Sequence, residues 1–183
     1  MKRLVGLIAI LASVFSVCSG SVWAQETTET AASDVPVGTR YVRETHKDWI
    51  IQCLKTETGV NPCNMAQVVK GDVGNDLVEL TLTPIQNETQ IVAGMDILTP
   101  LGALLAPGLA IDVDGLAPRR FPYVVCTQEG CLVRAGLQQL DLDTFKSGNV
   151  ANIQLFSAAT PDKPVVGQLS LAGFTAAYDA LTQ

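Results

Sequence analysis

The sequence is poor in the residue types that most enzymatic centres require. It contains a single histidine, His46, which lies near Asp48 but serves no nucleophile motif, and the G-x-S-x-G pattern is absent. A Ser-His-Asp centre is therefore not expected, and we interpret His46 as a surface residue ahead of the first strand. We predict that the protein is not an enzyme and needs no cofactor.

Positive charge is also scarce, with 12 Lys and Arg against 18 Asp and Glu and a net charge of -6. A surface that binds nucleic acid needs an excess of Lys and Arg to contact phosphates, so nucleic acid is excluded as a partner. Most proteins with this acidic balance use it for solubility.

Long hydrophobic runs are limited to one, Leu4 to Val17, which is shorter than a membrane span of about 20 residues. Lys2 and Arg3 precede this run, and a cleavage pattern ends at Ala24. Residues 1–24 are thus predicted to be a signal peptide, and the mature chain to be exported without a transmembrane span.

Five cysteines are present, and loss of Cys18 with the signal peptide leaves an even set of four. An even set in an exported chain predicts disulfides, and three pairings are possible. Short separations across turn-rich segments favour Cys53–Cys63 and Cys126–Cys131. Neither spacing is the C-x-x-C of a zinc site, so we predict no metal.

The chain organisation predicts one all-β domain over residues 41–183, preceded by a flexible tail over residues 25–40. Short apolar/polar alternations broken by turn residues are typical of strands. The predicted strands are Asp48–Leu54, Cys63–Val69, Asp76–Thr83, Gln90–Leu98, Leu109–Val113, Phe121–Cys126, Cys131–Ala135, Ala151–Phe156 and Val165–Leu171.

Helical structure is predicted in two places only. Asp141–Lys146 is expected to form one turn that stops at Gly148. Near the end, apolar residues recur at helical spacing from Phe174 to Leu181 and predict a short C-terminal helix. The segment Pro161–Pro164 is expected to connect the last two strands.

The candidate binding residues lie in the loop between Gly115 and Pro122. Arg119 and Arg120 stand beside Phe121, and this combination can contact an acidic group of a partner and bury an aromatic ring. We predict a partner contact there. Trp49 either lines a ligand groove or packs in the core, and its place on an alternating strand favours the core.

Several short motifs occur together in a distinctive order. They are Asp48-Trp49, Cys63-Asn64-Met65, Gly130-Cys131 and Leu171-Ala172-Gly173-Phe174. In this order the chain resembles the invasion-associated locus B family of Gram-negative bacteria.

The resemblance implies an immunoglobulin-like β-sandwich with two local disulfides, in the periplasm, associated with the outer membrane, or secreted. It also implies a link to host-cell invasion and virulence, and it supplies no catalytic site. We therefore expect a non-enzymatic envelope protein that acts by binding a protein partner in the envelope or on a host cell. The alternative is a periplasmic carrier or chaperone-like module for a small molecule or peptide.

Overall fold

The computed structural model describes residues 35–71, 74–86 and 90–182, so the predicted signal peptide lies outside the described residues. Within these ranges the chain forms strands and two helices. The strands are β1 (Arg40–His46), β2 (Trp49–Leu54), β3 (Cys63–Lys70), β4 (Asp76–Pro84), β5 (Ile91–Thr99), β6 (Leu109–Val113), β7 (Arg119–Phe121), β8 (Tyr123–Cys126), β9 (Cys131–Gln138), β10 (Val150–Ser157) and β11 (Thr160–Ser170). The helices are α1 (Gln139–Ser147) and α2 (Phe174–Thr182).

The strands form two antiparallel sheets that pack around one core. The larger sheet has seven strands in the order β1-β2-β3-β4-β5-β9-β8, and the smaller has four in the order β11-β10-β6-β7. Every second side chain of a strand faces the core, as with Met95 and Ile97 in β5 and Ile153 and Leu155 in β10. The predicted all-β sandwich with a short C-terminal helix is confirmed.

Both local disulfides are present. Cys53 and Cys63 are direct cross-strand partners in β2 and β3, with their Cα atoms 4.0 Å apart. Cys126 and Cys131 are joined in the same way at the end of the β8–β9 hairpin, also at 4.0 Å. Each bridge therefore closes a short loop between neighbouring antiparallel strands.

Three parts of the strand pattern differ from the sequence-based expectation. The predicted strand Phe121–Cys126 is divided at Pro122 between β7 of the smaller sheet and β8 of the larger one, and Arg119 and Arg120, expected in a loop, belong to β7. β1 was not predicted as a strand, because its residues are mostly polar, yet its backbone pairs with β2 from His46 back to Arg40. The segment Pro161–Pro164, expected to be a connection, belongs to β11. Prolines are tolerated there because β11 is the edge strand of the smaller sheet and leaves one row of backbone groups unpaired.

The two helices are joined to the core by aromatic packing. α1 is longer than the single predicted turn, and its buried residues are Leu142 and Phe145. In α2 the ring of Phe174 lies 5.5 Å from that of Phe145 and 5.2 Å from that of Trp49, measured between centroids. Trp49 is fully buried and donates from Nε1 to the Ser170 carbonyl at 2.9 Å, so it is a core residue.

Candidate functional site: an apolar groove beside the first helix

The predicted binding loop lies opposite α1. β6 and β7 pair in the smaller sheet, and the loop at residues 114–118 joins them. After Phe121 the chain crosses to the larger sheet, where β8 pairs with β9. Because α1 follows β9 directly and packs against it, the loop and the helix become the two walls of a groove.

The first half of this groove is a cavity of about 210 Å³ with an apolar floor. Its floor consists of side chains that belong to the core, namely Ile111, Phe121, Leu137 and Phe145. Two leucines stand on the rim: Leu116 is 59% exposed and Leu140 is 76% exposed. Large apolar side chains at this exposure, beside an apolar cavity, are typical of a surface that another molecule covers.

A second cavity of about 430 Å³ continues along α1. It shares Val113, Leu116, Leu140 and Thr144 with the first cavity and extends to Gly148. We call the two cavities together the α1 groove. Gly148 lies in extended backbone, and a side chain there would overlap Cγ1 of Val113 and lie 2.8 Å from Cδ1 of Leu171. Close packing, not backbone conformation, therefore explains the glycine that ends the helix.

Arg119 is held in place on the wall of the groove. Its guanidinium forms an ion pair with Asp141 and lies 5.2 Å from the ring centroid of Phe121. Asp141 in turn accepts a hydrogen bond from the backbone N–H of Gln138 at 2.9 Å and so caps the start of α1. The ion pair thus connects β7 to α1, and the negative charge of Asp141 neutralises the positive charge of Arg119.

Arg120 points away from the groove, because successive strand residues face opposite sides. Its Nη1 donates to the Pro107 carbonyl at 3.2 Å. The structure therefore separates the two arginines that the sequence analysis grouped together. Arg119 and Phe121 line the groove, with Phe121 buried in its floor, and Arg120 lies outside it.

The groove carries a net negative charge. The ionisable residues that line it are Arg119, Asp141, Asp114 and Asp143. Hydrogen bonds from the backbone N–H groups of Asn149 and Val150, at 2.9 and 3.0 Å, lower the pKa of Asp114. Asp114 is therefore ionised at neutral pH, and with Asp143 it leaves the groove acidic once Arg119 and Asp141 cancel.

Sequence analysis did not identify the two rim leucines. Leu142 and Phe145 are three positions apart and define the buried side of α1, whereas Leu140 falls off that side. An apolar residue outside the apolar face of a helix is a detectable signal for a second contact surface. This signal can be detected only once the helix is known to begin at Gln139.

The other residues considered from the sequence lie elsewhere. His46 Nε2 is 3.0 Å from Oε2 of Glu44, which also pairs with Arg43. Among the described residues, no three His, Cys, Asp or Glu side chains are grouped so as to hold a metal ion. In the same part of the chain, neither helix has the length and apolar character needed to cross a membrane.

The fold defines the class of protein as a β-sandwich with two helices and two local disulfides. The profile of the family described as Invasion associated locus B (IalB) protein matches residues 49–182. The chain belongs to this family.

Individual relatives agree with this assignment. An invasion protein B homologue of Brucella abortus (strain 2308) is 28% identical over 154 residues, covering 82% of this chain and 84% of the relative. A homologue from Brucella abortus biovar 1 (strain 9-941) matches equally well. The crystal structure of invasion associated protein B from Bartonella henselae is similar in fold, with a TM-score of 0.62 at 22% identity over 76% of this chain and 93% of that one.

Proposed function

We propose that this protein is an exported, non-enzymatic binding protein of the bacterial envelope, which contacts a protein partner through the α1 groove. The observation that carries the proposal is the pair of exposed leucines, Leu116 and Leu140, above an apolar floor. Exposed leucines at such a site contribute binding energy when a partner removes them from water, at about 25 cal/mol per Å² of buried apolar area. The groove needs no reacting group to perform this function.

The charge of the groove indicates the chemistry of the partner. Asp114 and Asp143 lie along the same groove as the two leucines, and Arg119, the one basic residue lining it, is already paired with Asp141. A segment with apolar side chains between Lys or Arg residues complements both features. We therefore expect a partner protein that presents a cationic, apolar segment.

Family membership supports a role outside the cytoplasm. The Brucella relatives carry the name invasion protein B homologue, and both disulfides of this chain suit an oxidising compartment. We propose that the mature chain starts at Gln25 and acts in the periplasm or at the outer membrane, on an envelope or host-cell partner. Intact-mass measurement of the protein from native envelopes tests this, and a chain that starts at an acylated Cys18 would contradict it.

The groove is tested with a fluorescent synthetic peptide of alternating lysine and leucine and with the mature protein. Replacing Leu140 by serine should weaken peptide binding about tenfold, the loss typical of a central interface residue. Leu101→Ser is the matched control, because Leu101 is 60% exposed and lies outside the groove. Arg120→Ala is a second control, since Arg120 faces away from the groove.

Fluorescence anisotropy measures the affinities. A peptide with glutamate in place of lysine should bind much more weakly than the cationic one. Unchanged binding by Leu140→Ser, or equal binding of the acidic peptide, would refute the groove assignment. A measurable turnover that is lost in His46→Ala would refute the non-enzymatic function.

A further inference from the structure

The loop that joins β5 to β6 has no polar side chain, although much of it is exposed. It runs from Pro100 to Gly108 and consists of proline, leucine, glycine and alanine only, and the chain carries no charged residue between Asp96 and Asp112. We call residues 100–108 the leucine loop, because Leu101 is 60% exposed and Leu105 is 51% exposed. Surface loops normally carry polar residues. A wholly apolar exposed loop is therefore typical of a surface that leaves water when the protein binds.

The backbone of the leucine loop is held against β10 and the turn that follows it. The N–H of Leu104 donates to the Phe156 carbonyl, and the Gly102 carbonyl accepts from the N–H of Ala158, both at 2.7 Å. Apart from its chain neighbours, Gly102 has no atom within 4 Å of the position that a Cβ would take. The hydrogen bonds thus fix a turn that protrudes into open space and keeps its leucines exposed.

Arg120 supplies a positive charge at one end of the leucine loop. Its Nη1 donates to the Pro107 carbonyl at 3.2 Å, which brings the guanidinium beside the loop. Arg120 is exposed, and no ion pair engages it in the part of the chain that the structure describes. Glu129 lies at the other end of the loop, where it lines a pocket with Pro100. The guanidinium therefore keeps most of its N–H donors for an anionic group, and a phosphate matches their geometry.

We propose that the leucine loop docks this protein on a phospholipid bilayer. Leu101 and Leu105 enter the boundary between headgroups and acyl chains, and the guanidinium of Arg120 pairs with a lipid phosphate beside them. Apolar side chains next to an arginine match the two layers of a bilayer surface. This peripheral contact does not depend on the α1 groove, because neither leucine lines that groove.

The shape of the leucine loop favours a bilayer over a protein partner. Leu101 and Leu105 belong to a protruding turn, and a protein that covered them would need a matching pocket. A bilayer surface takes up apolar side chains without a shaped pocket, and water remains near the backbone at headgroup depth. The backbone groups bonded to β10 and its turn are already paired, which lowers the cost of leaving water. A second copy of this chain is the rival occupant that the experiment must separate.

The experiment is flotation of the mature, oxidised protein with vesicles of phosphatidylethanolamine and phosphatidylglycerol. The parent should float with the vesicles. Leu101→Ser and Leu105→Ser should each weaken vesicle binding about tenfold, since each leucine has more than half of its surface to remove from water. Leu140→Ser is the matched control and should bind vesicles as the parent does, because Leu140 is 76% exposed but lies in the α1 groove.

Arg120→Gln tests the phosphate contact. It should weaken vesicle binding about fivefold at low salt and have little effect at high salt, because salt screens the attraction between the guanidinium and the phosphates. The loss caused by Leu101→Ser should persist at high salt. Arg40→Gln is the control for net charge, because Arg40 is also an exposed arginine but lies in β1 of the other sheet.

Three flotation results would overturn the proposal. They are a parent that does not float, equal losses in Leu101→Ser and Leu140→Ser, and unchanged binding of Arg120→Gln at low salt. Analytical ultracentrifugation without lipid tests the rival occupant: a dimer that Leu101→Ser converts to a monomer would assign the loop to a second copy. The α1 groove is judged separately, because Leu101→Ser should still bind the lysine and leucine peptide while Leu140→Ser should still bind vesicles.

Discussion

Gly173 holds the start of α2 against the β1–β2 turn, and we expect its replacement by alanine to be strongly destabilising. Its φ angle is +89°, a backbone conformation that side chains with a Cβ atom rarely adopt. An added methyl group would also overlap the His46 carbonyl oxygen, and it would lie 2.7 Å from the His46 carbonyl carbon and 3.1 Å from Cβ of Lys47. Gly173→Ala therefore combines backbone strain with a steric clash.

The two costs are of similar size. A non-glycine residue in the left-handed region costs about 1–2 kcal/mol. Overpacking at a tight contact adds about 1–3 kcal/mol, because the obstructing atoms are mainly backbone and cannot rotate away. We thus expect Gly173→Ala to lower the free energy of unfolding by about 2–5 kcal/mol, a large share of the roughly 5–15 kcal/mol of a typical domain.

A matched control separates the backbone strain from the steric clash. Gly102 has a φ angle of +94° but no atom within 4 Å of the position a Cβ would take, so Gly102→Ala carries the backbone cost alone. Urea denaturation followed by the fluorescence of Trp49, whose ring packs against Phe174, measures both variants. If Gly173→Ala and Gly102→Ala lower the free energy of unfolding by the same amount, the added methyl group does not clash at Gly173. The tight contact between α2 and the β1–β2 turn would then be refuted.

Two further predictions concern stability. Replacing Cys53 and Cys63 together by alanine should lower the free energy of unfolding by about 2–3 kcal/mol, because a loop of 10 residues is no longer closed in the unfolded chain. Urea denaturation measures the loss, and the reduced parent should lose at least as much; a double variant as stable as the oxidised parent would contradict this. The pKa of Asp114 is lowered from 3.8 by its backbone hydrogen bonds, so its ionised form stabilises the fold above that pH, and this contribution is lost as the pH falls through the folded-state pKa. Asp114→Asn should therefore lose less stability on acidification than the parent, as measured by urea midpoints over the acid range, and parallel losses would argue against the assignment.

The alternating segments show which structural features can be predicted from local sequence. Leu80 and Leu82 of β4 alternate with polar residues, and the predicted strand Asp76–Thr83 differs from the observed one by one residue. Period-two alternation is a property of the strand itself, so no knowledge of its neighbours is needed. The Cys53–Cys63 pair follows in the same way, because the two strands of a hairpin bring nearby residues opposite one another.

β1 and the segment Pro161–Pro164 show where local pattern fails. β1 is mostly polar, and it becomes a strand because β2 offers it a row of backbone partners. The prolines of β11 would interrupt a central strand, but at a sheet edge their missing N–H groups cost nothing. Both outcomes depend on the position of the strand within the sheet, which local sequence does not encode.

The candidate sites also combine features that local sequence predicts with features that only the tertiary structure shows. From the sequence by itself followed the all-β class, the favoured local disulfides and the C-terminal helix, whereas Arg119, expected in a loop, belongs to β7. Only the tertiary structure placed Asp141 against Arg119 and aimed Arg120 away from it. It alone brought Leu116 and Leu140, 24 positions apart in the chain, to one rim. The physical reason is that alternation and helical spacing report which side of one element is apolar, whereas a groove or a pocket arises between elements whose relative placement is set by the packing of the whole core.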